Sequence, residues 1–276
     1  QAFAFTMSDE INNMTFYSYE IINRSTFVLT NTYFSQWVDP DLGYAADDFV
    51  GCDVERGLGY CYNGKATDGP GTGAYAGNPP AIGIDFFQGP YMDPDGRDNP
   101  KVDTNAFIDF YGAAALDAYR DSVGNINPIL LTDDAYKWKN AWYPKSKDPI
   151  DACAINGVNF GNGIVDDERF GMRRFVYHDN NNTNNGEPDK ATDYYNYLRG
   201  IWRDGKRMCY GGDGYNAGSA GYQEGIYSDF MFPGTSDIWG WGTASNGNED
   251  VGKTTPWTEQ TAGNSADDRR FMQSAG

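Results

Sequence analysis

The chain has 276 residues, and its 39 acidic against 21 basic residues give a formal net charge of −18. Such a surface repels phosphate backbones and anionic lipids, which argues against nucleic-acid and membrane-surface partners. No apolar run approaches the ~20 residues of a membrane helix, so membrane insertion is not expected. The 16% of aromatic residues excludes an acidic disordered chain, and the single histidine, His178, argues against most serine-hydrolase triads.

The predicted strands come first along the chain. Residues 14–22 alternate in polarity, with Tyr17, Tyr19 and Ile21 on one face, and predict a half-buried strand. The same patterning, bounded by turn residues, predicts strands in four further segments. These are residues 32–38, a hairpin over 48–62, residues 82–87 and residues 172–177.

For some of these segments the sequence also predicts which side chains are buried, whereas it says little about the middle of the chain. In residues 82–87, Ile82, Ile84 and Phe86 are expected to face inward. His178 is expected to be a surface or hydrogen-bonded residue. Residues 104–121 fit either strand or helix, residues 122–160 are expected to be rich in loops, and the chain after residue 210 is expected to be a Gly- and Asn-rich loop.

One helix is predicted near residues 190–204, with Thr192 or Asp189 as its cap and Asp204-Gly205 as its end. Packing of its apolar face against the sheet is favoured over a ligand platform, because most such faces are core. The face follows the 3.6-residue period through Tyr194, Tyr197, Leu198, Ile201 and Trp202.

These elements predict a mainly β fold. We expect an antiparallel, β-sandwich-like domain with long Gly/Asn/Asp-rich loops and one short helix. Because we find no internal repeat and no clear linker, residues 1–276 are expected to form a single β-rich extracellular module. The chain begins with Gln1 and has no visible signal peptide, so we expect a fragment or matured part of a longer chain.

Four cysteines are present, and none lies in a C-x-x-C zinc motif. Cys52 and Cys61 flank a Gly-containing turn that a hairpin could close. We expect these two to be bridged, or one of them to pair with Cys153 or Cys209, if the compartment is oxidising. Four buried free thiols are the alternative, because cysteine is often simply buried.

Three clusters of oxygen-bearing side chains point to structural calcium, which takes six to eight oxygen ligands in flexible geometry. Carboxylates held close together repel unless a cation joins them. Turns without any metal are the alternative for each cluster. The candidate ligands are Asp39, Asp41, Asp47, Asp48 and Asp53 in the first cluster, Asp93, Asp95 and Asp98 in the second, and Asn162, Asp166, Asp167 and Glu168 in the third.

The second cluster has the form D-x-D-G-x-D-N, a close short match to a calcium loop. The third is a degenerate EF-hand-like loop, because Val158 and Phe160 stand where acidic residues would be expected. Paired carboxylates could instead serve a glycosidase. The formal candidates for that chemistry are Asp166, Asp167, Glu168 and Glu187. Any acidic chain offers such pairs, so we assign no catalytic residue.

Several longer blocks of the sequence belong together. They are residues 36–43, 47–53, 58–64, 83–90, 193–202, 210–212 and 267–276. Together these blocks resemble the large secreted surface proteins of Bacteroidota that are exported by the type IX secretion system. The resemblance runs from about Tyr17 to Gly276 and implies an extracellular or cell-surface location. It implies no enzymatic activity, and the C-terminal sorting domain of that family is not in this sequence.

The sequence therefore favours a non-enzymatic structural or adhesion module at the cell surface, stabilised by calcium. Its expected partners are other surface proteins or further copies of itself, with extracellular glycans as a further candidate. A glycan-binding or glycoside-hydrolase-type module is the alternative, because the chain is also rich in Tyr and Trp. An open groove lined by tryptophan and two carboxylates would favour that alternative.

Overall fold

A computed structural model describes residues 1–92, 94, 96, 156–160, 162–237 and 256–275. The chain divides into two compact units, Gln1–Thr32 and Tyr33–Gly276, and each is described here by itself. The predictions for residues 104–121, for most of 122–160 and for Cys153 lie outside the described residues, as do the candidate ligands Asp93, Asp95 and Asp98.

The N-terminal unit, Gln1–Thr32, is a small ribbon. Strand β1 (Ala2–Ala4) pairs antiparallel with β2 (Thr15–Tyr17), and a 3-10 turn at Glu10–Asn13 lies between them. The predicted strand over residues 14–22 is therefore only three residues long. The expectation that it is half-buried is wrong for its later part, since Tyr19 and Ile21 are 79% and 68% exposed.

In its described residues, the larger unit contains two three-stranded antiparallel sheets, in the orders β3-β10-β9 and β4-β5-β8. A third antiparallel pair joins β6 to β7. This confirms the predicted mainly β, antiparallel fold. The strands are β3 (Phe34–Val38), β4 (Asp48–Asp53), β5 (Leu58–Asn63), β6 (Thr67–Asp68), β7 (Ala76–Gly77), β8 (Ala81–Asp85), β9 (Arg174–His178) and β10 (Arg270–Ala275).

The predicted hairpin over 48–62 is present, with Asp53 paired to Leu58 across a turn in which Gly57 has φ = 71°. Only glycine adopts this left-handed conformation without cost, so the turn is fixed by the sequence. Strand β8 matches its prediction in part. Phe86, just beyond it, is buried, and Ile84 is partly buried against the core, whereas Ile82 is 40% exposed and does not face inward as predicted.

The two sheets contact each other where β5 approaches β10. A Cβ atom added at Gly59 would lie 2.8 Å from Gln273 Oε1 and 2.8 Å from Phe271 Cε2. Gln273 Nε2 also donates a hydrogen bond to the Ile84 carbonyl at 3.1 Å. The absence of a side chain at Gly59 thus permits this close approach, and Phe271 is fully buried in the core. The full sandwich arrangement stays a prediction.

The predicted helix is shorter than expected. Helix α1 spans Ala191–Tyr197, and the chain turns at Gly200, where φ is 67°. The expected caps are also wrong. Lys190 is the N-cap residue, and Asp193 Oδ2 accepts the backbone N–H groups of Asp189 and Lys190 at 3.1 and 3.2 Å. A second helix, α2, spans Glu259–Ala262.

Core packing nevertheless accounts for much of the aromatic face. Tyr197 and Trp202 are buried and meet edge to face at 5.3 Å between ring centroids. Trp202 lies beyond the helix end, and its indole N–H donates to the Gly214 carbonyl at 3.0 Å. Among the described residues, no helix has the length and apolar character needed to cross a membrane.

The described cysteines, Cys52, Cys61 and Cys209, are free thiols in the structure, and all three are buried. Cys52 lies opposite Gly59 and Cys61 lies opposite Val50, so the two thiols of the hairpin are diagonal neighbours. Diagonal positions are about 7–8 Å apart, beyond the usual span of a disulfide. The expected Cys52–Cys61 bridge is therefore not formed.

Candidate metal centre

Three carboxylates from two distant segments meet at one edge of the β3-β10-β9 sheet. Asp39 follows the last residue of β3, and Asp268 precedes β10 by two residues. Because Val38 pairs antiparallel with Phe271, the end of one strand lies beside the start of the other. Asp41 completes the group, and an oxygen of each carboxylate lies within 4.8 Å of the other two.

Each of the two strand-end carboxylates has one oxygen that is hydrogen-bonded and one that is not. Arg270 Nε donates to Asp39 Oδ2 at 3.0 Å, and Asn180 Nδ2 donates to Asp268 Oδ2 at 2.9 Å. The other oxygens, Asp39 Oδ1 and Asp268 Oδ1, are buried and have no hydrogen-bond partner among the residues that the structure describes. A buried acceptor without a partner costs free energy, so a cation or water here would stabilise the site.

The charge around these oxygens is negative in excess. Burial first, and then Asp39 and Asp268, raise the pKa of the Asp41 carboxyl, and only Arg270 lowers it. Burial raises the pKa of Glu187, Arg270 lowers it, and Asp39 and Asp268 raise it further. Four carboxylates therefore share one guanidinium, an imbalance that a divalent cation would offset.

The histidine beside this site does not supply a positive charge at neutral pH. His178 Nδ1 lies 3.4 Å from Glu187 Oε2, and its side chain is fully buried. Burial lowers the pKa of His178 to about 4. The donors in the carboxylate group are all oxygen atoms, which suits a hard cation such as calcium better than a transition metal.

The other acids of the first predicted cluster, Asp47, Asp48 and Asp53, accept backbone hydrogen bonds or form an ion pair. Asp48 Oδ2 accepts the Leu42 N–H at 3.1 Å, and Asp47 Oδ2 accepts the Gly69 N–H at 3.3 Å. Both side chains are fully buried. Asp53 instead pairs with Arg56 at 2.6 Å on the surface. Among the five acids of the first predicted cluster, the structure thus brings only Asp39 and Asp41 into the converging group, and the other three have partners of their own.

The environment of Asp48 changes its ionisation. Burial raises the pKa of Asp48 to about 7, opposed by the hydrogen bond from the Leu42 N–H and reinforced by Asp47. Asp68, which sequence reasoning missed, is also buried here, and its Oδ1 accepts the Tyr44 N–H at 2.9 Å. These carboxylates accept backbone hydrogen bonds and so hold the loops around β4 in place.

The third predicted cluster is organised mainly by its own hydrogen bonds. Asn162 Oδ1 accepts the Ile164 N–H at 2.7 Å, and Asn162 Nδ2 donates to Asp167 Oδ2 at 3.0 Å. This is the Asx-turn arrangement considered as the alternative to calcium. Asp166 Oδ1 accepts the Gly96 N–H at 2.9 Å. Glu168 is buried.

The structure distributes the formal glycosidase candidates over two places. Asp166, Asp167 and Glu168 share one loop, whereas Glu187 belongs to the surroundings of Asp39 and Asp268. Within the described residues, the only group of three or more acidic, cysteine or histidine side chains that converge is Asp39, Asp41 and Asp268.

Half of this centre was missed from the sequence. Asp268, Asn180 and Arg270 carry no spacing signal that links them to Asp39 and Asp41. Only the pairing of β3 with β10 brings them together. Comparisons of the chain with protein-family models, with curated proteins and with solved structures find no match.

Proposed function

We propose that this chain is a non-enzymatic structural or adhesion module of the cell exterior, stabilised by calcium bound at Asp39, Asp41 and Asp268. The observation that carries the proposal is the convergence of three carboxylates, two of which keep a buried oxygen with no hydrogen-bond partner in the described part of the chain. Calcium accepts such carboxylate ligands and completes its coordination with water.

The ion would act as a clamp between distant parts of the chain. The Asp39–Asp41 turn leaves β3, and Asp268 leads into β10, so one ion joins the ends of two paired strands. Because the two segments separate on unfolding, calcium would bind the folded protein selectively and stabilise it by mass action. Extracellular modules work with Kd of about 10⁻⁴ to 10⁻³ M, which suits a partly exposed site.

A structural role also fits the other acidic side chains. The buried acids Asp47, Asp48 and Asp68 accept backbone hydrogen bonds and hold loops in place. The high net negative charge suits a solvated exterior protein. We propose other surface proteins or further copies of the chain as its partners, in line with the resemblance to secreted surface proteins.

The test is thermal unfolding in chelator, in millimolar calcium and in millimolar magnesium. Calcium should raise the melting temperature, and magnesium should do so less, because it requires tighter octahedral geometry. In the double variant Asp39→Asn/Asp268→Asn, calcium should no longer raise the melting temperature. The matched control is Asp53→Asn, which belongs to the same cluster in sequence but lies in a surface ion pair with Arg56, and it should keep the increment.

Equal melting temperatures in chelator and calcium would overturn the proposed calcium site. A calcium increment that survives in the double variant would instead place the ion elsewhere and would also overturn the assignment to Asp39 and Asp268.

A further inference from the structure

The N-terminal unit exposes an unusual amount of apolar surface. None of residues 1–32 is buried. The exposure is greatest in residues 19–29, which we call the apolar arm. Its six large apolar residues are between 60% and 87% exposed: Tyr19, Ile21, Ile22, Phe27, Val28 and Leu29.

The arm consists of two apolar stretches joined by a hydrogen-bonded turn. Asn23 Oδ1 accepts the Ser25 N–H at 2.9 Å, and Asn23 Nδ2 donates to the Phe27 carbonyl at 2.9 Å. In the described part of the chain, residues 19–22 and 27–29 make no backbone-to-backbone hydrogen bonds. The backbone of Phe27 is already engaged by the turn, since its N–H donates to Ser25 Oγ at 3.3 Å and its carbonyl accepts from Asn23 Nδ2. The arm therefore offers apolar side chains, rather than a free strand edge, as its contact surface.

The N-terminal unit has no core of its own. Its only regular pairing is the three-residue ribbon of β1 and β2. A two-stranded ribbon is marginally stable at best in water, because it buries too little apolar area to offset the ordering of the chain. The arm therefore gains most of its stability when something covers it.

Charge favours the same arm of a second copy as the covering surface. Residues 1–32 contain Asp9, Glu10, Glu20 and one basic residue, Arg24, so they carry −2 of the net −18 and the remaining residues carry −16. Contact between the larger units of two copies is opposed by this repulsion. Contact between two arms is not, because Glu20 and Arg24 are the charged residues of 19–29 and their charges cancel.

The area is also sufficient. The six large apolar residues of the arm, which are 60% to 87% exposed, present on the order of 800 Å² of surface, judged from the 150–250 Å² of a whole aromatic side chain. A standard interface buries about 800 Å² on each partner. We propose that two copies of the chain associate through the exposed apolar side chains of their arms, related by a two-fold axis.

The test is the mass of the full chain in solution, by light scattering after gel filtration and by sedimentation. The expected result is a dimer of twice 30.6 kDa. Ile21→Ser/Phe27→Ser should give a monomer. The matched control is Phe87→Ser/Ile164→Ser in the larger unit, whose residues are 72% and 57% exposed, and it should stay dimeric.

An unchanged far-UV spectrum and melting temperature of each variant would show that the larger unit is still folded. A monomeric wild-type chain at about 50 μM, some tenfold or more above the Kd of a specific micromolar dimer, would overturn the proposal. Open-ended aggregates, or a dimer that survives Ile21→Ser/Phe27→Ser, would also overturn it. Because the arm contains none of the carboxylates of the metal centre, the result is independent of calcium.

Discussion

Glu259 and Arg269 form a buried ion pair, with Arg269 Nη2 2.9 Å from Glu259 Oε2 and side-chain exposures of 0% and 3%. The same carboxylate accepts the Val50 N–H at 2.7 Å through Oε1. A single acid thus joins α2, the approach to β10 and the backbone of β4. Removing one partner of such a pair leaves the other charged and buried, which is the costly case.

We predict that Glu259→Gln lowers the free energy of unfolding by about 3–5 kcal/mol, the range measured when one partner of a buried pair is removed. Urea unfolding followed by tryptophan fluorescence would measure it. Arg56→Gln is the matched control, because it removes an arginine from the surface pair with Asp53 and should leave the unfolding midpoint unchanged. Equal effects of both substitutions would contradict the prediction.

A second prediction concerns pH. The pKa of Asp48 is raised from 3.8 to about 7 in the folded protein, so the folded form binds this proton more tightly than the unfolded chain does. The resulting stabilisation is present below pH 3.8 and is lost as the pH rises through about 7. Asp48→Asn cannot ionise and should not show this loss.

The measurement is urea unfolding of the wild type and of Asp48→Asn near pH 4 and near pH 8. Between these values the wild type should lose on the order of 1–3 kcal/mol more stability than the variant. The opposite contribution of His178, whose folded pKa is lowered to about 4, is common to both proteins and cancels in the comparison. Identical pH profiles would refute the role given to Asp48.

A third prediction tests the contact between the two sheets. Gly59→Ala places a methyl group 2.8 Å from Phe271 Cε2 and 2.9 Å from Phe175 Cε2, so side chains of the core must shift. Overpacking of this kind costs about 1–3 kcal/mol of stability. The control is Gly77→Ala, because nothing lies within 4 Å of that position. If both substitutions leave the melting temperature unchanged, the sheets do not pack as closely as described.

The fourth prediction is that Cys52, Cys61 and Cys209 stay reduced and unreactive in the native protein. All three are buried, and burial raises the pKa of both Cys52 and Cys61, which suppresses the reactive thiolate. A thiol reagent added without reductant should label none of them before denaturation and all three after it. Mass spectrometry that finds these residues in disulfide-linked peptides would contradict the structure.

Local features were the ones that could be predicted from the sequence. The hairpin of β4 and β5 follows from alternation on either side of a turn that contains Gly57. The helix was harder, because Ile201 and Trp202 continue the 3.6-residue pattern although the chain has already turned at Gly200. Burial of Trp202 in the core, and not helical geometry, accounts for its place in that pattern.

The candidate metal centre shows the same limit. Asp39 and Asp41 are neighbours in sequence and could be proposed together. Asp268 lies beside them only because β10 pairs with β3. Asp47 and Asp48 are buried at and just before the start of β4 and are not part of the group. Sequence spacing identifies acids that share a loop, but strand pairing decides which acids share a site.

The position of β10 has a consequence for how the molecule assembles over time. This strand lies between β3 and β9, so neither of the outer strands has its neighbour until residues 270–275 arrive. Val38, for example, pairs with Phe271, which is far from it in sequence. Strands this distant in sequence pair slowly, because the entropic cost of closing a long loop comes before any stabilising contact forms. A chain that is still being synthesised would therefore leave β3 and β9 unpaired at this sheet until residues 270–275 emerge, and the pairing of these residues would join the two outer strands.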